Sequence, residues 1–263
     1  MRGGGRATGG PALVTGAASG MGRIVAQRLA AAGWQVAAVD LNPDGLAETA
    51  QRSPNMHTYV CDVSDTDQVF AVVDKVRAEL GTIERLVHAA GMCHVHGTAL
   101  DHDVRQIKKM MDVNYIGTVN FCQAVIPAMK KAGRGTVVLF ASVAGWLPSP
   151  GMAGYSASKH AVIGFVDSLS YELDDTGVRL LALCPPMVET PFLTKVREEN
   201  ESVLAGAKGM TPEGVIDALE QALAKSKTPL FVFPGQARPG YLMRRFLPGV
   251  ARAIVKRTVK PTD

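Results

Sequence analysis

TGAASGMG, residues 15–22, closes an apolar run that begins at Ala12 and leads straight into a helical pattern. Gly16, Gly20 and Gly22 permit a tight turn, a close backbone approach to a pyrophosphate and close packing of helix on strand, with the helix N-terminus facing the phosphates. A plain strand-to-helix turn uses glycines in the same way, so spacing alone leaves both readings open. Position separates them. A second apolar run ends at Asp40, eighteen residues beyond Gly22, where a carboxylate accepts hydrogen bonds from an adenosine ribose and repels a 2′-phosphate. Ser19 and Leu41 bring no cation to that place. Together these features predict a dinucleotide site that takes NAD in preference to NADP.

Outward from the turn, strand-like and helical segments alternate. Strand patterns fall at 12–15, 35–40, 57–61, 85–89, 135–142, 178–183 and 230–233, with helical patterns at 22–32, 65–80, 104–132 and 156–176 between them. Such alternation gives a parallel sheet covered by helices on both faces, a doubly wound α/β fold whose ligand lies beyond the carboxyl ends of the strands. No repeat or linker interrupts it, and 263 residues with 47% hydrophobic content suffice for one domain. Residues 1–10, polar and glycine-rich, read as a disordered leader. Residues 11–237 are expected to form the domain, and 238–263 a basic amphipathic extension.

Composition narrows the functional classes. No apolar run approaches the roughly 20 residues that cross a bilayer, and the N-terminus lacks the layout of a secretory signal. Cys61, Cys93, Cys122 and Cys184 are scattered, mostly in apolar contexts. They read as buried thiols of a reducing, cytoplasmic compartment. A formal net charge of +4 is modest for this length and argues against nucleic acid as a partner. His94 and His96 form an HxH pair after the fourth strand, but no third ligand stands nearby, so they read as polar loop residues and no metal is expected.

GYSASKH, residues 154–160, places Tyr155 and Lys159 at i and i+4, on one face of a helix expected to begin near Ser156. A free phenol, with a pKa of about 10, is a poor base at neutral pH. An ammonium a few ångströms away favours the phenolate and moves the tyrosine towards general acid–base work. Ser142 ends a buried strand, where its hydroxyl would emerge into the same crevice and hold a substrate oxygen. Asp62, after the third strand, would either meet an adenine amino group or cap the helix that opens near Ser64 and Asp65. His160 is expected to face away from the site.

Taken together, these motifs resemble those of the short-chain dehydrogenase/reductase superfamily, over about residues 12–234. TGAASGMG resembles the family's TGxxxGxG turn; Ser142, Tyr155 and Lys159 match its serine and YxxxK; Asn114, in DVNYIG, matches its asparagine. The resemblance implies a Rossmann-like sheet of seven parallel strands, hydride transfer at a nicotinamide, and a proton relay from Tyr155 through the ribose and Lys159 to a water held by Asn114. It carries the cofactor contacts to Gly16, Ser19, Gly20, Met21, Gly22, Asp40, Leu41, Asp62, Val63, Ala89, Ala90, Gly91, Tyr155, Lys159, Pro185, Val188 and Thr190. It also implies a homotetramer or homodimer built on the two long helices. Val162, Phe165, Val166, Leu169 and Leu173 form an apolar stripe there that serves either that interface or packing on the sheet.

Two departures stand out. HAAG, with His88 and Ala89, replaces the family's NNAG, so hydrogen bonds that brace the central strands are expected to be rearranged. Pro185-Pro186 replaces Pro-Gly, removing a backbone donor and stiffening the loop, while Val188 and Thr190 keep the pattern that resembles a clamp on the nicotinamide amide.

Phe192, Leu193, Val196, Leu204 and Met210, in the segment that covers the substrate in this family, with Trp146 and Met152 nearby, predict an apolar pocket suited to a hydrophobic alcohol or ketone. From Arg238 onward seven basic residues face one acidic residue, with Tyr241, Leu242, Phe246, Leu247, Val250 and Ile254 interleaved. Pro248-Gly249 should divide this tail into two short helices. A basic amphipathic end can lie on an anionic membrane surface, or fold over the pocket as a flap. The expected activity is NAD-dependent interconversion of a hydrophobic, steroid- or lipid-like secondary alcohol and its ketone. The alternatives are a 3-oxoacyl thioester reductase and a weakly catalytic NAD-sensing regulator.

Overall fold

The computed structural model describes residues 9–51, 53–95, 98–199 and 208–258. Seven parallel strands lie in the order β3-β2-β1-β4-β5-β6-β7: β1 Ala12–Thr15, β2 Val36–Asp40, β3 Met56–Val60, β4 Arg85–His88, β5 Gly135–Phe140, β6 Val178–Leu183 and β7 Phe231–Val232. Helices α1 Gly20–Ala31, α2 Pro43–Ala50, α3 Thr66–Leu80, α4 Val104–Met111, α5 Gly117–Ala132, α6 Ala153–Glu172, α7 Pro191–Glu199, α8 Pro212–Leu223, α9 Ala237–Phe246 and α10 Pro248–Thr258 complete the described elements. Strands from one run pack both ways, because successive side chains leave opposite faces of the sheet. Leu13 joins the core with Phe121 and Val162, whereas Ala12 and Val14 join the one with Val25, Leu29 and Ile216. Every β1 residue is therefore buried.

Local chemistry sets the helix ends. Asp65 caps α3 by accepting the Gln68 N–H, Asn42 caps α2 and Thr211 caps α8 by accepting the N–H of Gly45 and Gly214, and Pro43 and Pro212 open the latter two. Gly133, at φ 64°, ends α5 in the left-handed region.

Several elements differ from the sequence expectation. The long helical pattern at 104–132 is broken by a π turn, Asp112–Ile116, in which the Gly117 N–H bonds the Asp112 carbonyl five residues back. The extra residue lets Asn114 point inward while Gly117 passes so close to Val63 that a Cβ there would lie 2.9 Å from its Cγ2. Helix α6 begins at Ala153, so Tyr155 lies inside it rather than before it. The strand expected at 135–142 stops at Phe140, which leaves Ser142 on a 3-10 turn, Val143–Gly145. Helices α2, α7 and α8, each opened by a proline, are not among the expected elements. Gly9 and Gly10, expected in the leader, are packed: the Gly10 N–H bonds Glu84, and Gly9 lies against the Trp34 ring. Residues 1–8 lie outside the described residues.

In the apolar stripe, Val162, Val166, Leu169 and Leu173 are buried in the core of this one chain. Packing on the sheet therefore accounts for them. The sheet order reverses between β1 and β4, and that switch point opens the crevice where a doubly wound fold binds its ligand. A Cβ on Gly22 would sit 2.1 Å from the Gly16 carbonyl oxygen. Gly22→Ala is expected to cost about 1–3 kcal/mol through overpacking, read calorimetrically as a lower thermal midpoint.

Candidate active site

A cavity of about 630 Å³ occupies the switch point. Its floor is the glycine turn, where Gly16 and Gly20 adopt φ 68° and 51°. A Cβ at Gly16 would meet the Ala90 nitrogen at 2.8 Å, so the turn and the segment after β4 touch backbone to backbone. Nothing larger than glycine fits there. At one rim the Asp40 carboxylate accepts the Ala18 N–H through one oxygen and the Asn42 N–H through the other, both at 3.0 Å. Two backbone donors fix its orientation. Arg23 does not line the cavity: its guanidinium bonds the Ala18 and Gly45 carbonyls and pairs with Glu48 at 2.9 Å. Asp62 lines the cavity and accepts both the N–H and the hydroxyl of Ser64, while Asp65, not Asp62, caps α3. A glycine cradle at a helix N-terminus with an oriented carboxylate at its rim fits a dinucleotide.

At the inner end stand Ser142, Tyr155 and Lys159, all nearly buried. The Ser142 oxygen accepts the Ala144 N–H at 3.1 Å. Lys159 Nζ donates to the Phe140 carbonyl at 2.8 Å and lies 5.8 Å from the centre of the Tyr155 ring. Burial lowers the Lys159 pKa to about 8, against the opposing charges of the Cys93 and Cys184 thiols. Burial also pushes the Tyr155 phenol well above its ordinary value; the nearby Cys93 adds to this and a hydrogen bond with Ser142 opposes it. The expected lowering of the tyrosine by its lysine is thus not found: desolvation penalises the phenolate more than the Ser142 hydrogen bond relieves it.

Asn114 does not line the cavity. Its amide accepts the Met92 N–H and donates to the Met92 carbonyl, each at 2.8 Å, and donates to Ser158 Oγ at 2.9 Å. Its backbone carbonyl accepts the Thr118 hydroxyl at 2.7 Å.

The family model described as short chain dehydrogenase matches residues 11–201. The chain belongs to the short-chain dehydrogenases, oxidoreductases that bind a nicotinamide cofactor and act on small alcohols and ketones. It is 32% identical to the human protein named estradiol 17-beta-dehydrogenase 11 over 259 residues, 96% of this chain and 84% of that one. It is 36% identical to a Sphingomonas protein named 2-dehydro-3-deoxy-L-rhamnonate dehydrogenase (NAD(+)) over 220 residues, 84% of this chain and 87% of that one. A crystal structure of a short-chain dehydrogenase from Streptomyces avermitilis superposes with a TM-score of 0.82 at 26% identity, covering 95% of this chain and 96% of that one.

The residues assigned from the family motif fall together in this dehydrogenase. Gly16, Ser19, Gly20, Met21, Gly22, Asp40, Leu41, Asp62, Val63, Ala89, Ala90, Gly91, Pro185, Val188 and Thr190 line the one cavity with Ser142, Tyr155 and Lys159. Thr190 reaches back over the glycine turn, so a Cβ on Gly20 would touch its side chain at 3.6 Å. Of the expected substrate wall, Met152, Phe192, Leu193 and Val196 line the cavity. Trp146 and Met210 do not: Trp146 packs on Phe231, Phe233 and Tyr241, and Met210 lies against Gly235. Leu204 and His96 fall outside the described residues. Cys93, Lys109, Val113, Leu147, Ser149 and Met187 also line the cavity. No motif marks them, since they meet only through the fold. Glu189 pairs with Arg197 of α7 at 2.8 Å and accepts the Gly209 N–H at 2.7 Å.

The HAAG departure acquires a physical form. Thr15 Oγ1 shares a hydrogen bond with His88 Nδ1 at 3.0 Å and accepts the Ala90 N–H at 3.1 Å, bracing β1 against β4. His88 is 1% exposed, and its Nε2 has no hydrogen-bond partner among the described residues. Burial first, then the Lys159 charge, lowers its pKa from 6.5 to about 3. The folded chain therefore keeps the ring neutral where the unfolded chain protonates it, so stability is lost as pH falls below about 6.5. Denaturant titrations at several pH values between those limits should show that loss, and His88→Asn should flatten it.

Proposed function

We propose that the protein is an NAD-dependent dehydrogenase interconverting an apolar secondary alcohol, steroid- or lipid-like, and its ketone. The observation that carries this reading is the meeting of Ser142, Tyr155 and Lys159 at the inner end of a cavity that Leu147, Met152, Phe192, Leu193 and Val196 make apolar on its substrate side. The glycine turn, Asp40, Asp62 and the Val188–Thr190 clamp would hold the dinucleotide, which supplies the hydride acceptor when bound. Asp40 favours NAD, because a fixed carboxylate repels a 2′-phosphate.

Ser142 would donate its hydroxyl proton to the substrate oxygen and orient the reacting carbon. Tyr155 Oη exchanges the proton with that same oxygen. Its raised pKa makes it a phenol before ligands enter, ready to donate in the reductive direction. In the oxidative direction it accepts the alcohol proton, and Lys159, mostly ammonium at neutral pH, offsets the charge as the phenolate forms. Asn114 would hold the water that carries the proton outward. The enzyme would work in the cytosol as a dimer or tetramer, with its C-terminal helices against a membrane face where such a substrate concentrates.

The test is NADH formation by the purified protein on a panel of hydroxysteroids, long-chain secondary alcohols and 3-hydroxyacyl thioesters. Tyr155→Phe should lower kcat roughly 10²–10⁴-fold while NADH still binds. Tight NADH binding with no turnover across the panel would favour the sensor reading instead. Asp40→Ala should raise the use of NADP relative to NAD; an unchanged ratio would remove the carboxylate from cofactor choice.

A further inference from the structure

Five of the exposed large apolar side chains of the described residues fall within one short stretch, Leu242, Phe246, Leu247, Val250 and Ile254. All lie in or between α9 and α10, which pack against each other over the buried Ala251. Leu242 and Phe246 are one turn apart on α9, and Val250 and Ile254 are one turn apart on α10, with Leu247 at the joint. Phe246 is 69% exposed and Leu247 56%. Hydrophobic side chains at such density in water mark a contact surface. Arg238, Arg244, Arg245 and Arg252 surround them, each exposed, and none pairs with a carboxylate among the described residues. Arg245 instead donates to the Tyr241 hydroxyl at 3.3 Å and lies 6.0 Å from the Phe246 ring centre.

The same helix pair is joined to the cavity wall. Tyr241 stacks on Phe233 at 4.4 Å and meets the Trp146 ring edge-on at 4.8 Å. Gly240 approaches so that a Cβ would lie 3.6 Å from Leu147 Cδ2, and Leu147 lines the cavity. Trp146 and Leu147 directly follow the turn that carries Ser142. No helix among the described residues is long and apolar enough to cross a membrane.

We infer that α9 and α10 form a docking surface for an anionic lipid bilayer, which seats the chain with the Leu147 wall of its cavity beside the lipid. Exposed leucine and phenylalanine side chains enter the interfacial layer while the arginines bind lipid phosphates and carboxylates, the division of labour of an interfacial amphipathic helix. The inference rests on the apolar-alcohol reading of that cavity, since a substrate dissolved in the bilayer would then arrive along a continuous apolar path from α9 past Leu147.

Flotation of the full chain with vesicles of equal parts phosphatidylcholine and phosphatidylserine, and with phosphatidylcholine alone, tests it at low and high salt. Binding to the mixed vesicles at low salt that weakens at high salt is expected, with little binding to the neutral ones. Arg244→Gln with Arg245→Gln should weaken it roughly fivefold for each cation removed, and Phe246→Ser with Leu247→Ser should abolish it. Circular dichroism establishes that the variants are folded, and the arginine pair, fully on the surface, remains informative if the serine pair is not. Equal binding to neutral vesicles, no binding at low salt, unchanged binding by both pairs, or preferential capture of duplex DNA at the same salt would each overturn the inference. Turnover of a water-soluble secondary alcohol by the unaltered chain separates the two readings: turnover without vesicle binding sinks the docking surface alone, and vesicle binding without turnover sinks the dehydrogenase.

Discussion

The architecture of the site hangs on one buried amide. Asn114 presents donor and acceptor to both backbone groups of Met92, and its second donor proton to Ser158, whose hydroxyl in turn donates to the Tyr155 carbonyl at 2.8 Å. Three separate pieces of chain, the segment after β4, the π turn and the first turn of α6, are thereby fixed to each other. Losing any one of those bonds would leave a polar atom stranded without water, at a cost of roughly 1–3 kcal/mol. The π turn is the geometric concession that makes the contact possible. A regular helix through 104–132 would rotate Asn114 away from Met92.

Within that frame the contest is between charge and desolvation. Tyr155 and Lys159 are neighbours on one helix, yet both are deep enough that burial moves their proton affinities in the directions that remove charge. The energetic burden of ionising Tyr155 is therefore built into the packing that places it.

Much of this was legible in the sequence, and the reasons differ by element. The bounds expected for β1 and β6 match to the residue, because both are apolar runs, interrupted in β6 only by the exposed Arg179. The glycine turn was legible because only glycine satisfies its backbone angles and contacts, and Asp40 because it ends a strand at a fixed offset. The π turn was not, since it leaves no mark in hydrophobic periodicity. Nor were α2 and α7, which at 8 and 9 residues are too short for a helical period to emerge. Trp146 was taken for a pocket residue because it is large and near Ser142 in the chain. Its partners Phe231, Phe233 and Tyr241 come from the far end of the sequence and turn it the other way.

Glu189 has a wider meaning. Its carboxylate holds the Arg197 guanidinium and the Gly209 amide at once, while its own backbone N–H donates to the Met210 carbonyl. Glu189 sits between Val188 and Thr190, and those two residues line the same cavity as Phe192, Leu193 and Val196. One side chain thus anchors both the apolar wall and the segment proposed to grip the dinucleotide. A descendant of this chain that exchanges the wall for another must also reset that segment, so what it accepts and how it holds its cofactor change together.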